Sequence, residues 1–272
     1  MSRYLPAGLL TVLFALAAPA FAASAPDRGG SPDVLIAAAV PDQLPVSAFD
    51  DTGQLTGFDI DVSRELADRL GSPVRFVTPG WDAILGGAWD GRWDYCACSI
   101  TPTIERTGRL DFPASYRFDV AVLVVRKDDA AITSPAQASH KAIAVKADTT
   151  FERYLRHDLV IFGGNRPTLY QIDDPTIRLY PSKEAAIEAV ANGEVAGTVT
   201  ALVSARGAID AGLPVRIVPG LLFFEPVAVA TAKGDAAFGA KIAGAVQAMR
   251  DDGTLTALSM KWFGIDLTGM LE

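Results

Sequence analysis

Between residues 34 and 98 the chain alternates short apolar runs with helix-like segments, and this alternation limits the possible folds more than any other feature. Residues 34–39 form a short apolar run that predicts a buried strand. Asp50-Asp51-Thr52-Gly53 is turn chemistry. Phe58, Val62, Leu66 and Leu70 then recur every four residues, with Gly71 placed as a C-cap, and predict a helix. Residues 74–77 predict the next strand, 82–89 a second helix ending near Gly91, and 94–98 a third strand. Strand, helix, strand, helix, strand is the pattern of a parallel sheet with helical crossovers.

The second half of the chain repeats the theme. Residues 120–125 are apolar, and a new alternation begins at 142–145. Thr149-x-x-Glu152 makes a capping box at the head of a helix. A helix is predicted from Ser182 through Ala191 and a strand over 195–199; residues 215–218 and 227–230 are apolar again. Helices over about 236–249 and near 255–262 close the chain. Two α/β units without a linker predict two lobes that share strands crossing near 120–126 and 224–232. The expected division is residues 33–120 with 228–272 as lobe one and 121–227 as lobe two. Each lobe is then a mixed, mostly parallel sheet flanked by helices. Ligands in such folds sit beyond the carboxyl ends of the strands, here in the cleft between lobes.

The N-terminus carries a different signal. Arg3 is the only charge before Asp27, an apolar run covers 9–18, and Ala20-Phe21-Ala22 follows. This is the layout of a cleaved signal peptide over residues 1–22, too short to span a bilayer core of about 30 Å. No cysteine follows the cleavage site, so no lipid anchor is expected. Residues 23–32, rich in Ala, Ser, Pro, Gly and Asp, predict a disordered leader. The formal net charge is −8 with no basic cluster, which argues against nucleic acid or anionic membrane as partners. Cys96 and Cys98 stand at i and i+2 of a predicted strand, too far apart there for good disulfide geometry, and read as small buried hydrophobes. His140 and His157 are not at ligand spacing from them, so no metal or other cofactor is expected.

Several segments, taken in order, resemble one family. Leu55-Thr56-Gly57-Phe58-Asp59-Ile60-Asp61-Val62 is similar to the "LxGFDVDL" segment of family 3 extracellular solute-binding proteins, the periplasmic receptors of polar amino acid ABC transporters. Trp81-Asp82-Ala83-Ile84 and Asp90-Gly91-Arg92-Trp93-Asp94 resemble the helix and strand entry that follow. Ser99-Ile100-Thr101-Pro102-Thr103-Ile104-Glu105-Arg106 resembles the ligand-contact segment, with Leu110-Asp111-Phe112 in register after it. Ala147-Asp148-Thr149-Thr150 resembles the "xGTT" turn, and Asp252-Gly253-Thr254-Leu255 and Lys261-Trp262-Phe263-Gly264 the C-terminal helices. The likeness runs from about residue 34 to 266, interrupted by an apparent insertion around 162–175.

The resemblance implies a soluble, monomeric periplasmic receptor of type II two-lobed architecture that closes on a small carboxylate-bearing solute and delivers it to an inner-membrane ABC permease. It implies no catalytic residue. Arg106 offers a planar fork suited to a carboxylate. Ser99 and Thr101 add hydroxyls at a strand end, and Thr149 and Thr150 divide capping and ligand contact between them. Trp81 is either an apolar wall against the ligand or a core residue, and Cys98 reaches the pocket rim. Tyr116 is expected to pack in the hinge.

Four positions depart from the pattern. Against "GxVDAxVxD", the acid that pairs with a ligand ammonium is replaced by Ala201, and Ala196 also replaces an aspartate. Gln43 falls where cationic amino acid receptors carry an aromatic, and Val40 near their acidic contact. A buried ammonium without a carboxylate is costly, so a standard α-amino acid is disfavoured unless Thr200, Asp42 or Glu225 compensates. The same departures weigh on a second reading, a cyclohexadienyl or arogenate dehydratase-like enzyme, which needs a general acid in the cleft. Glu225 is the only acid near the second crossing and is expected to be an exposed hinge charge. A third reading is a sensor or accessory binding subunit, which would carry the same lobes.

Overall fold

The computed structural model describes residues 34–42, 44–162 and 168–269; the predicted signal segment, the leader and Gln43 lie outside them. In chain order the first elements are β1 (Leu35–Ala38), β2 (Ala48–Phe49), β3 (Leu55–Thr56), α1 (Phe58–Arg69), β4 (Val74–Val77), α2 (Trp81–Leu85), β5 (Tyr95–Ile100), α3 (Ile104–Thr107) and β6 (Leu110–Arg126). They are followed by β7 (Ala142–Lys146), α4 (Thr150–Leu155), β8 (Thr176–Tyr180), α5 (Lys183–Ala191), β9 (Gly197–Ala201) and α6 (Leu202–Asp210). The last are β10 (Val215–Ile217), β11 (Phe223–Ala232), α7 (Ala236–Asp251) and α8 (Thr254–Phe263).

Strand order is β4-β1-β5-β11-β6-β9-β7-β8, with β10 also on β6 and β2–β3 a separate hairpin. At one end β1 lies parallel to β4 and β5; at the other β7 lies parallel to β8 and β9. The middle is antiparallel: β11 runs against both β5 and β6. The 17-residue β6 pairs with β11 along its first part and with β9 and β10 along its second, so it belongs to both lobes. Apolar pattern alone marks only residues 120–125 of it, because Pro113, Arg117 and Asp119 interrupt the earlier stretch.

Helices cover both faces at both ends, which is why the inner strands read as nearly continuous apolar runs. Phe58, Val62 and Leu66 of α1 pack with Ile242 and Met249 of α7 and Leu255 of α8 against Leu35, Ala37 and Tyr95. Ile84, Trp89 and Trp93 cover the other face of β1 and β5. In lobe two, Ile187 and Val190 of α5 and Ala205 of α6 pack on Val122, Val124 and Ala144. Phe151, Tyr154 and Leu155 of α4 pack on Leu123, Ile143 and Val199. Each fully buried aliphatic or aromatic side chain contributes about 1.5–3 kcal/mol.

Three expectations change. The helix predicted over 82–89 ends at Leu85, because Gly86 caps it and Gly87 takes a left-handed φ of 75°; Trp89 instead turns inward and donates Nε1–H to the Ile84 carbonyl. Helix α6 and strand β8 lie where no element was predicted: α6 follows β9 without a break, and β8 is a half-exposed edge strand. Cys96 and Cys98 are joined by a disulfide. A regular strand holds i and i+2 about 6.6 Å apart. Here β5 is bulged: Cys96 to Ile100 stands opposite only Ala230 to Ala228 of β11, and the two Cα atoms come within 5.3 Å, inside the range a disulfide needs.

Candidate functional site

The carboxyl ends of β1, β4, β5, β7 and β8 converge on one cleft. Its wall is built from Val40 and Asp42 after β1, Trp81 after β4, Cys98, Ser99 and Thr101 at the end of β5, and Arg106 on α3. Lys146, Thr149, Thr150 and Phe151 follow from the end of β7, and Lys183 from the start of α5 after β8. Val46, Asp59 from α1, Asp119 from β6 and Glu225 from β11 complete it. The space is about 520 Å³ with the open mouth included.

The lobe-one side is a bonded network. Gly57, with φ 123°, lets the start of α1 press against the loop before β2; a Cβ there would lie 2.4 Å from the Val46 carbonyl oxygen. That contact seats Asp59, which is 1% exposed. Ser99 Oγ donates to Asp59 Oδ2 at 2.6 Å, and Tyr116 donates to Oδ1 at 2.9 Å. Arg117, fully buried, donates to Ser99 Oγ at 2.7 Å and pairs with Asp119 at 3.1 Å. Its guanidinium also lies over Phe58 and Phe263. Burial raises the Asp59 carboxyl above the usual carboxylate range, against the opposing pull of Arg117. Ser99 itself sits at φ 56°, where the β5 bulge turns the chain.

The second group of contacts crosses the cleft. Arg106 donates Nη1–H to the Thr101 carbonyl at 2.9 Å and Nη2–H to the Asp148 carbonyl at 2.8 Å. Trp81 donates Nε1–H to the same Asp148 carbonyl at 3.1 Å and offers its ring to Arg106 and Lys146. Asp148 adopts φ 57°, the left-handed conformation that glycine supplies in the "xGTT" pattern and that Asp also tolerates. Lys146 pairs with Asp42 at 3.1 Å across the gap, both almost fully buried. Burial pulls the Lys146 ammonium below its usual range, with Asp42 opposing. Burial likewise lowers the Arg106 guanidinium to about 10, where it stays charged at neutral pH. The capping box is only half made: Thr149 Oγ accepts from Glu152 N–H, while the Glu152 carboxylate accepts from Asp148 N–H rather than from the cap itself.

Seven of the nine ligand contacts expected from sequence line this cleft: Trp81, Cys98, Ser99, Thr101, Arg106, Thr149 and Thr150; Val40, Asp42 and Glu225, also named there, line it too. Gln43 lies outside the described residues. Ala201 does not line it; its methyl is fully buried in the lobe-two core, because β9 directs that position inward before α6 begins. Glu225 is the larger correction. It is 3% exposed, not a surface hinge charge, since β11 lies between β5 and β6 in the middle of the sheet. Burial first, and then Asp119 directly opposite it in the β6–β11 pairing, push its carboxyl up to about 7. Thr150, Thr101 and Arg106 nearby pull the other way. Sequence reading also missed Asp59, Asp119, Lys146 and Lys183; for Asp119 and Lys146 the available signal was a charge at the end of an apolar run.

A polar cleft closed by two α/β lobes across a shared central strand pair defines a solute-binding receptor of the two-lobed class. The chain belongs to the bacterial extracellular solute-binding proteins, family 3, whose family model matches residues 35–265. A probable amino-acid ABC transporter-binding protein of Haemophilus influenzae is 28% identical over 260 residues, 96% of each chain. The L-arginine-binding protein of Pseudomonas aeruginosa is 28% identical over 266 residues, 94% of this chain and 95% of that one. Among solved structures, the ancestral amino acid-binding protein AncCDT-1, described as a precursor of cyclohexadienyl dehydratase, superposes with a TM-score of 0.73 at 29% identity. That likeness covers 85% of this chain and 96% of AncCDT-1. No helix among the described residues is long and apolar enough to cross a membrane.

Proposed function

We propose that this protein is the solute-binding component of an ABC importer, exported to the periplasm by residues 1–22, which captures a small amino acid or related acid by hinge closure. The observation that carries this reading is Arg106. It is a buried, charged fork in the cleft wall whose bonds reach both lobes at once, through Thr101 on one side and Asp148 on the other. A ligand carboxylate that takes the fork ties the lobes together through the same residue. Thr101 and Thr150 border the position and Ser99 shapes its floor. In this reading residues 33–120 and 228–272 move against 121–227, with β6 and β11 as the flexing pair, and an inner-membrane permease reads the closed form. The kinship with amino-acid transporter-binding proteins supports it.

Mass spectrometry of small molecules released from the purified protein, followed by calorimetry with amino acids, keto acids and opine-like acids, tests the reading. Absence of any binder among these acids would overturn it. A second reading draws on Glu225, since a buried carboxyl titrating near 7 suits a general acid and would serve a cyclohexadienyl or arogenate dehydratase. Incubation with prephenate and arogenate decides between them: phenylpyruvate or phenylalanine formed at catalytic turnover replaces the importer reading.

A further inference from the structure

Four carboxylates line the cleft: Asp42, Asp59, Asp119 and Glu225. Three are held by the protein itself. Asp42 is paired with Lys146 and accepts the Lys183 backbone N–H. Asp59 accepts from Ser99 and Tyr116. Asp119 is paired with Arg117. Glu225 differs. No ion pair holds it, and its Oε2, fully buried, has no hydrogen-bond partner among the described residues. Arg106 acts on it through charge, its Nη groups being bonded to the Thr101 and Asp148 carbonyls.

We infer that Glu225 is the anchor for a cationic group on the ligand, so that the cleft selects solutes carrying an ammonium close to a carboxylate. This rests on the importer reading and names the ligand class for that site. A buried carboxylate with an unpartnered oxygen, facing a like charge, is unfavourable on its own and becomes favourable when a cation completes it. Arg106 beside it supplies the opposite sign, so the two side chains present a fixed dipole that matches a zwitterionic head group. The topology explains how the family's usual acid is dispensable here. Ala121 on β6 pairs with Ala201 on one side and Phe223 on the other, so Glu225, two residues beyond Phe223, stands one strand over from the position where the resemblance expects the acid, and unlike Ala201 it lines the cleft.

Titration follows from the same geometry. Asp119 on β6 and Arg106 on α3 are the charges acting on Glu225, with Thr101 and Thr150 as neutral neighbours; Lys183 acts instead on Asp59 and Lys146. Glu225 must be ionised to hold an ammonium, so affinity falls as pH drops from 8 to 6.

The test is calorimetry on the full chain with the standard L-amino acids and L-cystine. Each binder is then compared with its desamino analogue on wild type, E225Q and E225D, at pH 8 and pH 6. Wild type is expected to prefer the amino acid over the analogue. E225Q is expected to lose at least about 30-fold for the amino acid while holding the analogue as tightly or more so, and to lose the pH slope. E225D, with the charge kept, retains the preference and the slope. Those two signs are also read on wild type alone, so a poorly folding variant leaves the inference exposed to failure. E225Q binding the amino acid within about threefold of wild type, or wild type favouring the desamino acid, overturns it while leaving the importer intact. Wild type binding neither class sinks the importer reading itself.

Discussion

On the β5 side of the cleft, Asp59, Ser99, Tyr116, Arg117 and Asp119 bond to one another within lobe one and the shared strand β6. On the β7 side, Lys146 and the Asp148 carbonyl find their partners across the gap, at Asp42, Arg106 and Trp81. In the proposed hinge motion the first group stays bonded as the lobes part, and the second forms only when they meet. Changes in the first should therefore register as stability of the fold, and changes in the second as affinity and closure.

Arg117→Ala should have the largest effect. It strands two buried carboxylates and removes the packing on Phe58 and Phe263, so urea unfolding should show a loss of about 3–5 kcal/mol. A loss below about 1 kcal/mol would break the contrast. Arg106→Ala should leave unfolding almost unchanged but weaken ligand binding by about 2–5 kcal/mol in calorimetry. Unchanged binding would remove the carboxylate assignment.

Glu225 belongs to neither group, and pH sharpens its place. Its folded pKa is raised to about 7 from 4.5, so between those values the folded state keeps a proton that the unfolded state releases. Its contribution to stability is therefore present below about 4.5 and lost as pH rises through 7. At ~1.36 kcal/mol per unit the change is at most about 3 kcal/mol, less if the cleft opens and hydrates the group. Thermal melts of E225Q against wild type should show the variant gaining ground from pH 5 to pH 8; parallel curves would place Glu225 in water. The smallest effect is expected for Asp42→Asn. Lys146 is reached across the cleft and the pair meets water when the cleft opens, so ligand affinity should fall by about 1 kcal/mol with unfolding unchanged. A drop in stability instead would move Asp42 into the permanent network.

The legible part of the site was its rim. Ser99, Thr101 and Arg106 follow a strand end that the local pattern marks, and Trp81 and Thr150 follow two others, so topology alone sends them to one cleft. Glu225 was hidden, because an acid near a crossing strand reads as exposed on composition alone; only the pairing of β11 with both β5 and β6 puts it inside. The disulfide was hidden for a related reason, since a bulge is visible only against the partner strand it is out of step with.

Period and turn chemistry, which are local, therefore determined the alternating elements, the two-lobed α/β plan and the strand ends that bear the cleft. Which charges are satisfied is not local. Asp59 meets Ser99 and Tyr116 over 40 and 57 positions of chain, and Asp42 meets Lys146 over 104. Only the assembled sheet decides that three of the four carboxylates are held by the protein and that the fourth, Glu225, keeps an oxygen for something else.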